Sequence, residues 1–250
     1  MSEHVIIERQ GPVQTIRMNR PDKKNALTRA MYQAMAEALR QGDADPAVRV
    51  HVFLGLPGAF SAGNDLHDFM AIATGGEGGL EVWNFLEALA GAQKPVLSGV
   101  DGIAVGIGTT LNLHCDLTFA TPRTVFRTPF VDLGLVPEAG SSLLVPAVVG
   151  RQQAFALLGL GEGFSAEKAL AAGLIYAVVT DDELEVTVLD AATLVASKPP
   201  EALKIARDLM LGPREPLLAR IREEGKRFKE RLKSDEARAA LMAFMMRKKG

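Results

Sequence analysis

The chain alternates between short β-branched runs and longer stretches in which apolar residues recur every three or four positions. The short runs predict strands at 4–9, 13–18, 50–54, 95–100 and 117–120. The longer stretches predict helices at 28–40, 80–90 and 106–114, with Thr28 as a possible N-cap of the first. Because Gln10-Gly11-Pro12 marks a turn, the first two strands are expected to form a hairpin. Strands that alternate with helices favour an α/β fold with crossover connections.

From residue 140 onward the pattern is largely helical. The predicted helices are 141–149, 151–158, 165–172, 183–196 and 200–211, followed by a charged amphipathic stretch at 215–248. The run 222–233 within that stretch is expected to be a solvated helix face. The glycine-rich region 71–80 has two interpretations, a linker or a loop near the mouth of a ligand site.

Composition excludes several classes of protein. The chain has 250 residues, 48% of them hydrophobic, and a formal net charge of −2, which argues against nucleic acid or an anionic membrane as a partner. The only cysteine, Cys115, excludes an intramolecular disulfide and fits a reducing compartment. Charges interrupt the best candidates for a membrane span, and the N-terminus lacks the pattern of a secretory signal, so a cytoplasmic protein is expected. No His/Cys/Asp spacing indicates a metal site.

Candidate chemistry is concentrated in two glycine-bearing segments, 60–66 and 102–108, and in one acid, Glu138. Two backbone N–H groups aimed at one point can stabilise a carbonyl oxygen that becomes negative. A carboxylate beside them can remove a proton from the neighbouring carbon. The combination predicts enolate chemistry.

Five segments, in this order and spacing, resemble the crotonase (enoyl-CoA hydratase/isomerase) superfamily. They are Asn19-Arg20-Pro21 with Lys24-Asn25-Ala26-Leu27, Ala62-Gly63-Asn64-Asp65-Leu66, the turn at Gly106, residues 130–140, and Ala169 with Ala172-Gly173-Leu174. The resemblance implies a ClpP-like spiral of β-β-α units over 1–196 and a helical trimerisation region over 197–250. It also implies a homotrimer or dimer of trimers, an acyl-CoA substrate, and no cofactor apart from the coenzyme A that belongs to the substrate.

The resemblance also assigns the site. The backbone N–H groups of Ala62 and Ile107 would form the oxyanion hole, and Glu138 would be the catalytic acid–base group. The implied substrate-binding residues are Lys24, Asn25, Ala26, Leu27, Ala62, Gly63, Asn64, Asp65, Leu66, Gly106, Phe130 and Asp132.

This chain departs from the hydratases of the family at two positions. Those enzymes manage a water with two glutamates, and the corresponding residues here are Thr110 and Phe130, neither of which is a carboxylate. Addition of water by the usual route is therefore not expected. Glu138 lies where peroxisomal-type Δ3,Δ2-enoyl-CoA isomerases, the most similar subgroup, carry their base. One base suffices to take a proton at C2 and return it at C4, so an enoyl-CoA isomerase of lipid metabolism is expected.

Several alternatives stay open at this stage. Glu138 would suit the N-terminus of the helix that begins near Gly140. Asp132 could assist or replace Glu138, and His67 is either a base or a histidine outside the reaction. Phe228 or Lys248 could reach a neighbouring subunit's coenzyme A, as happens in relatives.

Two competing functions also stay open. One is another crotonase reaction, such as thioester hydrolysis or residual hydration, and the other is that of a non-catalytic CoA-binding protein.

Overall fold

A computed structural model describes residues 2–73 and 79–247 of the chain. The strands within these residues are β1 (Val5–Gln10), β2 (Val13–Met18), β3 (Val50–Leu54), β4 (Ala59–Ser61), β5 (Val96–Val100), β6 (Ile103–Val105), β7 (Leu117–Ala120), β8 (Val125–Arg127), β9 (Phe164–Ser165) and β10 (Ala177–Val178). The helices are α1 (Arg29–Ala44), α2 (Leu66–Ala73), α3 (Leu80–Ala90), α4 (Ile107–Thr110), α5 (Ser141–Val149), α6 (Arg151–Ala154), α7 (Ala166–Ala171), α8 (Leu184–Ala196), α9 (Pro200–Leu211), α10 (Glu215–Leu232) and α11 (Asp235–Arg247).

The strands form two sheets. The larger sheet has the order β1-β2-β3-β5-β7-β10, in which only the β1–β2 hairpin is antiparallel, and the smaller has the order β4-β6-β8-β9. Each turn of the chain gives one strand to each sheet, as in β3 with β4, β5 with β6, and β7 with β8. A helical segment then returns the chain to the larger sheet. This repeated β-β-α turn is the spiral expected from the sequence.

Most predicted elements are confirmed. The hairpin is present, α3 has the predicted bounds, and the Thr28 hydroxyl accepts a hydrogen bond from the Met31 N–H at the start of α1. Helix α1 continues to Ala44, beyond the predicted end at residue 40. The positions of the strands in the smaller sheet and helix α2 were not predicted from the pattern, and residues 74–78 of the predicted glycine-rich region lie outside the described residues.

The main apolar core lies on the face of the larger sheet covered by α1 and α3. Tyr32, Phe53 and Phe85 form a chain of ring contacts there, with centroids 5.5 and 6.2 Å apart. Helices α10 and α11 extend the same core with Ile221, Phe228, Leu232, Ala237 and Leu241. The C-terminal helices therefore pack on their own chain, and Phe228 is part of this core. Lys248 lies outside the described residues.

A second, smaller apolar cluster forms between α8 and the other face of the larger sheet, around Leu54, Leu97 and Val188. With helices against both of its faces, the sheet is buried, as parallel sheets require. None of the helices in residues 2–73 and 79–247 combines the length and the apolar character needed to cross a membrane.

Candidate functional site

The carboxyl group of Glu138 is buried at the end of the loop that precedes α5. The residue is 4% exposed, and its Oε1 accepts a hydrogen bond of 2.5 Å from the Thr110 hydroxyl. Burial raises the pKa of Glu138 to about 8, the Thr110 hydrogen bond opposes that rise, and the charge of Glu224 adds to it. A carboxyl group with such a pKa can accept and return a proton near neutral pH.

The loop backbone directs this side chain inward. Ala139 and Gly140 follow Glu138 with φ angles of +59° and +73°, a left-handed pair that reverses the chain before α5. His114 Nε2 lies 2.8 Å from the Ala139 carbonyl oxygen. Because burial lowers the pKa of His114 to about 4, the ring is neutral, and its Nε2–H donates to that carbonyl.

Glu138 does not cap α5. The carboxylate that reaches the start of that helix belongs to Glu224 of α10, which accepts hydrogen bonds from the Gly140 N–H at 2.6 Å and the Ser142 N–H at 2.9 Å. The expectation of a solvated face is therefore wrong for Glu224, which is buried. The capping interpretation of Glu138 is also wrong, because its carboxyl group is directed to Thr110 instead.

The predicted oxyanion donor Ala62 needs correction. Its N–H donates to the Lys24 carbonyl oxygen at 2.9 Å, so this group is already engaged. The amides of Gly63 and Asp65 are also engaged: Gly63 N–H donates to the Ser61 hydroxyl, and Asp65 N–H donates to the Leu27 carbonyl oxygen.

Asn64 lies between those engaged amides. Leu27 N–H donates to the Gly63 carbonyl oxygen, and the Leu27 carbonyl oxygen accepts from the Asp65 N–H. These two hydrogen bonds form a parallel β-bridge between Leu27 and Asn64. Because a bridge of this kind uses the groups on either side of Asn64, the N–H of Asn64 itself points away from Leu27. The N–H groups of Asn64 and Ile107 have no acceptor among the described residues.

Two glycines bring these amides to the same region. An added Cβ at Gly63 would lie 2.9 Å from the Val105 carbonyl oxygen, and one at Gly108 would lie 2.8 Å from the Ser61 carbonyl oxygen. The segment after β4 and the turn from β6 into α4 are therefore in direct contact. Ile107 is the first residue of α4, where backbone N–H groups lack partners within the helix.

Helix α4 connects the amides to the acid. Thr110, which holds the Glu138 carboxyl group, ends the same short helix that Ile107 begins, and its own N–H bonds the Gly106 carbonyl oxygen. Thr110 lies about one helical turn from Ile107, so the carboxyl group of Glu138 is bound at the opposite end of the helix that carries the Ile107 amide. The arrangement can bind a carbonyl oxygen at the amides while a carboxylate attacks an adjacent C–H bond.

Tyr32 is a site residue that sequence reasoning missed. Its buried hydroxyl donates a hydrogen bond of 2.6 Å to the Asn64 side-chain oxygen. Burial raises the pKa of Tyr32 well above its usual value, and the charge of Glu138 adds to this rise, which places the phenol near the acid. Tyr32 occupies one more buried position of α1, and nothing in the sequence distinguishes it from its apolar neighbours.

Other predicted residues anchor the loops around the site. The Asn25 amide donates to the carbonyl oxygens of Met18, Ala59 and Phe60. Asp65 forms a buried ion pair of 2.6 Å with Arg20, and although burial alone would raise its pKa, Arg20 lowers it on balance. Leu27 is buried in the core, and Leu66 packs against it.

The remaining predicted residues are divided between the site and the surface. Phe130 is buried, and its ring is the nearest group to the position that a Cβ on Gly106 would occupy. Lys24 is exposed in the loop after β2, and Ala26 is half-buried beside it.

The two other candidate acid–base residues lie toward the surface. Asp132 is half-exposed and paired with Arg127 at 3.5 Å, and no hydrogen bond joins Asp132 to Glu138. His67 is exposed. In residues 2–73 and 79–247, no cluster of His, Cys, Asp and Glu is suited to a metal ion.

Comparison with known proteins identifies relatives along the whole chain. The profile of the enoyl-CoA hydratase/isomerase family matches residues 8–250. Enoyl-CoA delta isomerase 2 of Rattus norvegicus is 34% identical over 253 residues, and the match covers 99% of this chain and 64% of the rat protein. The chain thus spans less than two thirds of that relative's length.

Two further relatives are of about the same length as this chain. The solved structure of OdaA from Pseudomonas aeruginosa is similar with a TM-score of 0.93 at 45% identity, covering 98% of this chain and 99% of that one. 2,3-Dehydroadipyl-CoA hydratase of Escherichia coli (strain K12) is 29% identical over 252 residues, 99% of this chain and 97% of that protein. The named relatives therefore include both isomerases and hydratases.

Proposed function

Because this chain belongs to the enoyl-CoA hydratase/isomerase family, we propose that it is an acyl-CoA isomerase that moves a double bond from Δ3 to Δ2. Membership in the family supports a CoA thioester substrate. The observation that carries the finer proposal is the buried carboxyl group of Glu138, held by Thr110 at the end of the helix that Ile107 begins, together with the amides of Asn64 and Ile107, which have no acceptor within residues 2–73 and 79–247.

In the proposed reaction, the thioester oxygen accepts hydrogen bonds from the N–H groups of Asn64 and Ile107. The Glu138 carboxylate removes a proton from C2, and the two amides stabilise the negative charge that moves onto the oxygen. The protonated Glu138 then returns its proton to C4, which leaves the double bond conjugated with the thioester. One oxyanion donor contributes about 3–4 kcal/mol to such a transition state. Coenzyme A is part of the substrate, and the chemistry needs no further cofactor.

Hydration is the main competing reaction. It needs a second carboxylate to manage the water, and Thr110 and Phe130 occupy the two positions where the resembling hydratases carry theirs. Thr110 is engaged with Glu138, and Phe130 gives that side of the site a buried ring that disfavours water. Both observations favour proton transfer by one carboxyl group over addition of water.

The test is an absorbance assay with two substrates. A 3-enoyl-CoA should gain the absorbance of a conjugated thioester, whereas a 2-enoyl-CoA should not lose it. Glu138→Gln should abolish the gain and leave acyl-CoA binding intact, because the amide keeps the shape of the side chain but cannot accept the proton. Turnover of the variant at the wild-type rate, or loss of absorbance from the 2-enoyl-CoA, would refute the proposal.

We also propose that the chain assembles as a homotrimer or a dimer of trimers through its C-terminal region. The apolar side chains that α9 leaves exposed support an interface there, with Leu209 79% and Met210 78% exposed.

A further inference from the structure

Helix α10 reaches into the loop that carries Glu138. Glu224, 6% exposed, accepts hydrogen bonds from the Gly140 N–H at 2.6 Å, the Ser142 N–H at 2.9 Å and the Ser142 hydroxyl at 2.5 Å. A buried carboxylate with three donors is fixed in place, since each charge-assisted hydrogen bond is stronger than a neutral one. The side chain of Glu224 therefore links α10 to the backbone two and four residues after Glu138.

Packing leaves α10 close enough for this contact. Gly225 lies against the Trp83 ring of α3, where an added Cβ would be 2.2 Å from Trp83 Cη2. Gly140 lies against α10 in the same way, because a Cβ there would be 2.4 Å from Leu217 Cδ1. Two positions without side chains thus allow the helix to approach both α3 and the loop before α5.

The loop itself requires external support. Ala139 adopts a left-handed conformation that is unfavourable for a residue with a Cβ, and such conformations persist where the surroundings hold them. His114 binds the Ala139 carbonyl oxygen, and Glu224 binds the next amide, that of Gly140. The peptide group between Ala139 and Gly140 is therefore held at its carbonyl oxygen by His114 and at its N–H by Glu224. These two contacts fix the backbone that directs Glu138 inward.

Charged and titratable groups approach Glu138 from three elements. Tyr32 comes from α1, neutral His114 from the turn after α4, and Glu224 from α10. Arg220 approaches the Glu224 group only through the Ser142 hydroxyl, to which it donates at 3.1 Å. A negative charge on Glu224 opposes ionisation of Glu138.

We propose that Glu224 is a positioning residue for Glu138: its hydrogen bonds to Gly140 and Ser142 hold the loop in the conformation that directs Glu138 inward. The charge of Glu224 is a second, electrostatic part of this role. Glu224 does not touch the substrate in this proposal and acts through Gly140 and Ser142. The activity readouts rest on the proposed isomerase function, whereas the stability readout below does not.

The test compares Glu224→Gln with Glu223→Gln, a matched change on the exposed neighbouring position of the same helix. Glu224→Gln should lower kcat by about 10-fold or more with little change in KM, since a displaced base weakens the chemical step and not binding. The acid limb of its pH–rate profile should move to lower pH by about half a unit or more, because a like charge has been removed. Glu223→Gln should change neither. An unmoved acid limb in Glu224→Gln would overturn the electrostatic part of the proposal.

Glu224→Asp separates the two effects, because it keeps the charge but shortens the side chain. It should lower kcat without moving the acid limb, and an unchanged kcat would overturn the positioning role even if Glu224→Gln does not fold. If the protein has no isomerase activity, the pKa of Glu138 is obtained from the pH dependence of stability. It is the pH above which the difference in unfolding free energy between Glu138→Gln and the wild type stops growing. In the Glu224→Gln background that pH should be lower than in the wild type, and an equal value would overturn the electrostatic part of the proposal independently of function.

Discussion

The buried acid makes a prediction that requires no substrate: Glu138→Gln should become more stable than the wild type as the pH rises. Burial raises the pKa of Glu138 from 4.5 to about 8 in the folded chain. The folded state therefore keeps its proton where the unfolded chain has already released it. The resulting stabilisation is fully present below pH 4.5 and is lost as the pH rises through about 8.

The size of the effect follows from the two pKa values. One pKa unit corresponds to about 1.4 kcal/mol, so the interval from 4.5 to about 8 corresponds to about 5 kcal/mol. This is a large share of the stability of a typical folded protein, which is about 5–15 kcal/mol. Gln does not titrate, so the free energy of unfolding of Glu138→Gln minus that of the wild type should grow by this amount over the interval and then level off.

Urea unfolding at pH 5, 6, 7, 8 and 9 measures the difference, because the free energy of unfolding is obtained by linear extrapolation at each pH. Glu223→Gln, which removes an exposed carboxylate, is the control and should show a small difference at every pH. A difference between Glu138→Gln and the wild type that stays constant from pH 5 to 8, or that falls, would refute the raised pKa. It would indicate that the acid is solvated or stabilised in its charged form.

Two further predictions concern the hydrogen bond to the acid and the proposed assembly. Thr110→Val should move the acid limb of the isomerase profile to higher pH by about one to two units, since a hydrogen bond to a charged group contributes about 1.5–3 kcal/mol and one pKa unit corresponds to about 1.4 kcal/mol. Thr110→Ser should keep the wild-type limb, and identical profiles for both variants would contradict the contact. Leu209→Asp should reduce the oligomer mass measured by light scattering at fixed protein concentration, and a wild type that is monomeric throughout would exclude the trimer.

Periodicity was sufficient for the elements that are long enough to display it. The hairpin, α3, α5, α8 and α9 follow from spacing alone, because each presents at least one complete apolar stripe or alternation. The stretch 215–248, predicted as one run, is instead divided into α10 and α11, and the helix predicted at 151–158 is α-helical only to Ala154. The strands β4, β6 and β8 have three residues each, too few to show a period of two. They make up most of the smaller sheet, which positions the site, so its architecture followed from the resemblance and not from the pattern.

The oxyanion donor shows a limit of a different kind. Sequence identifies the segment 62–66, but only the pairing of Leu27 with Asn64 determines which amide is left free. Backbone N–H groups point to alternate sides along a regular strand, but Gly63, with a φ of +88°, interrupts the extended backbone between Ala62 and Asn64. Strand alternation therefore does not decide between these two amides. Glu224 shows the same limit for side chains. A charged run on an amphipathic helix does not indicate which of its carboxylates is buried against another loop.

The identity of the base depends on which of two carboxylates occupies the start of α5. A carboxylate at a helix N-terminus is stabilised in its charged form, which lowers its pKa. If Glu138 accepted the hydrogen bonds of Gly140 and Ser142, it would stay ionised and would be a weak base. Glu224 accepts them instead, and within the part of the chain that the structure describes the carboxyl group of Glu138 has one donor, the Thr110 hydroxyl, and a like charge nearby. The basicity proposed for position 138 is thus a consequence of a contact made by a distant helix, and a substitution in α10 should alter the chemistry without touching the substrate.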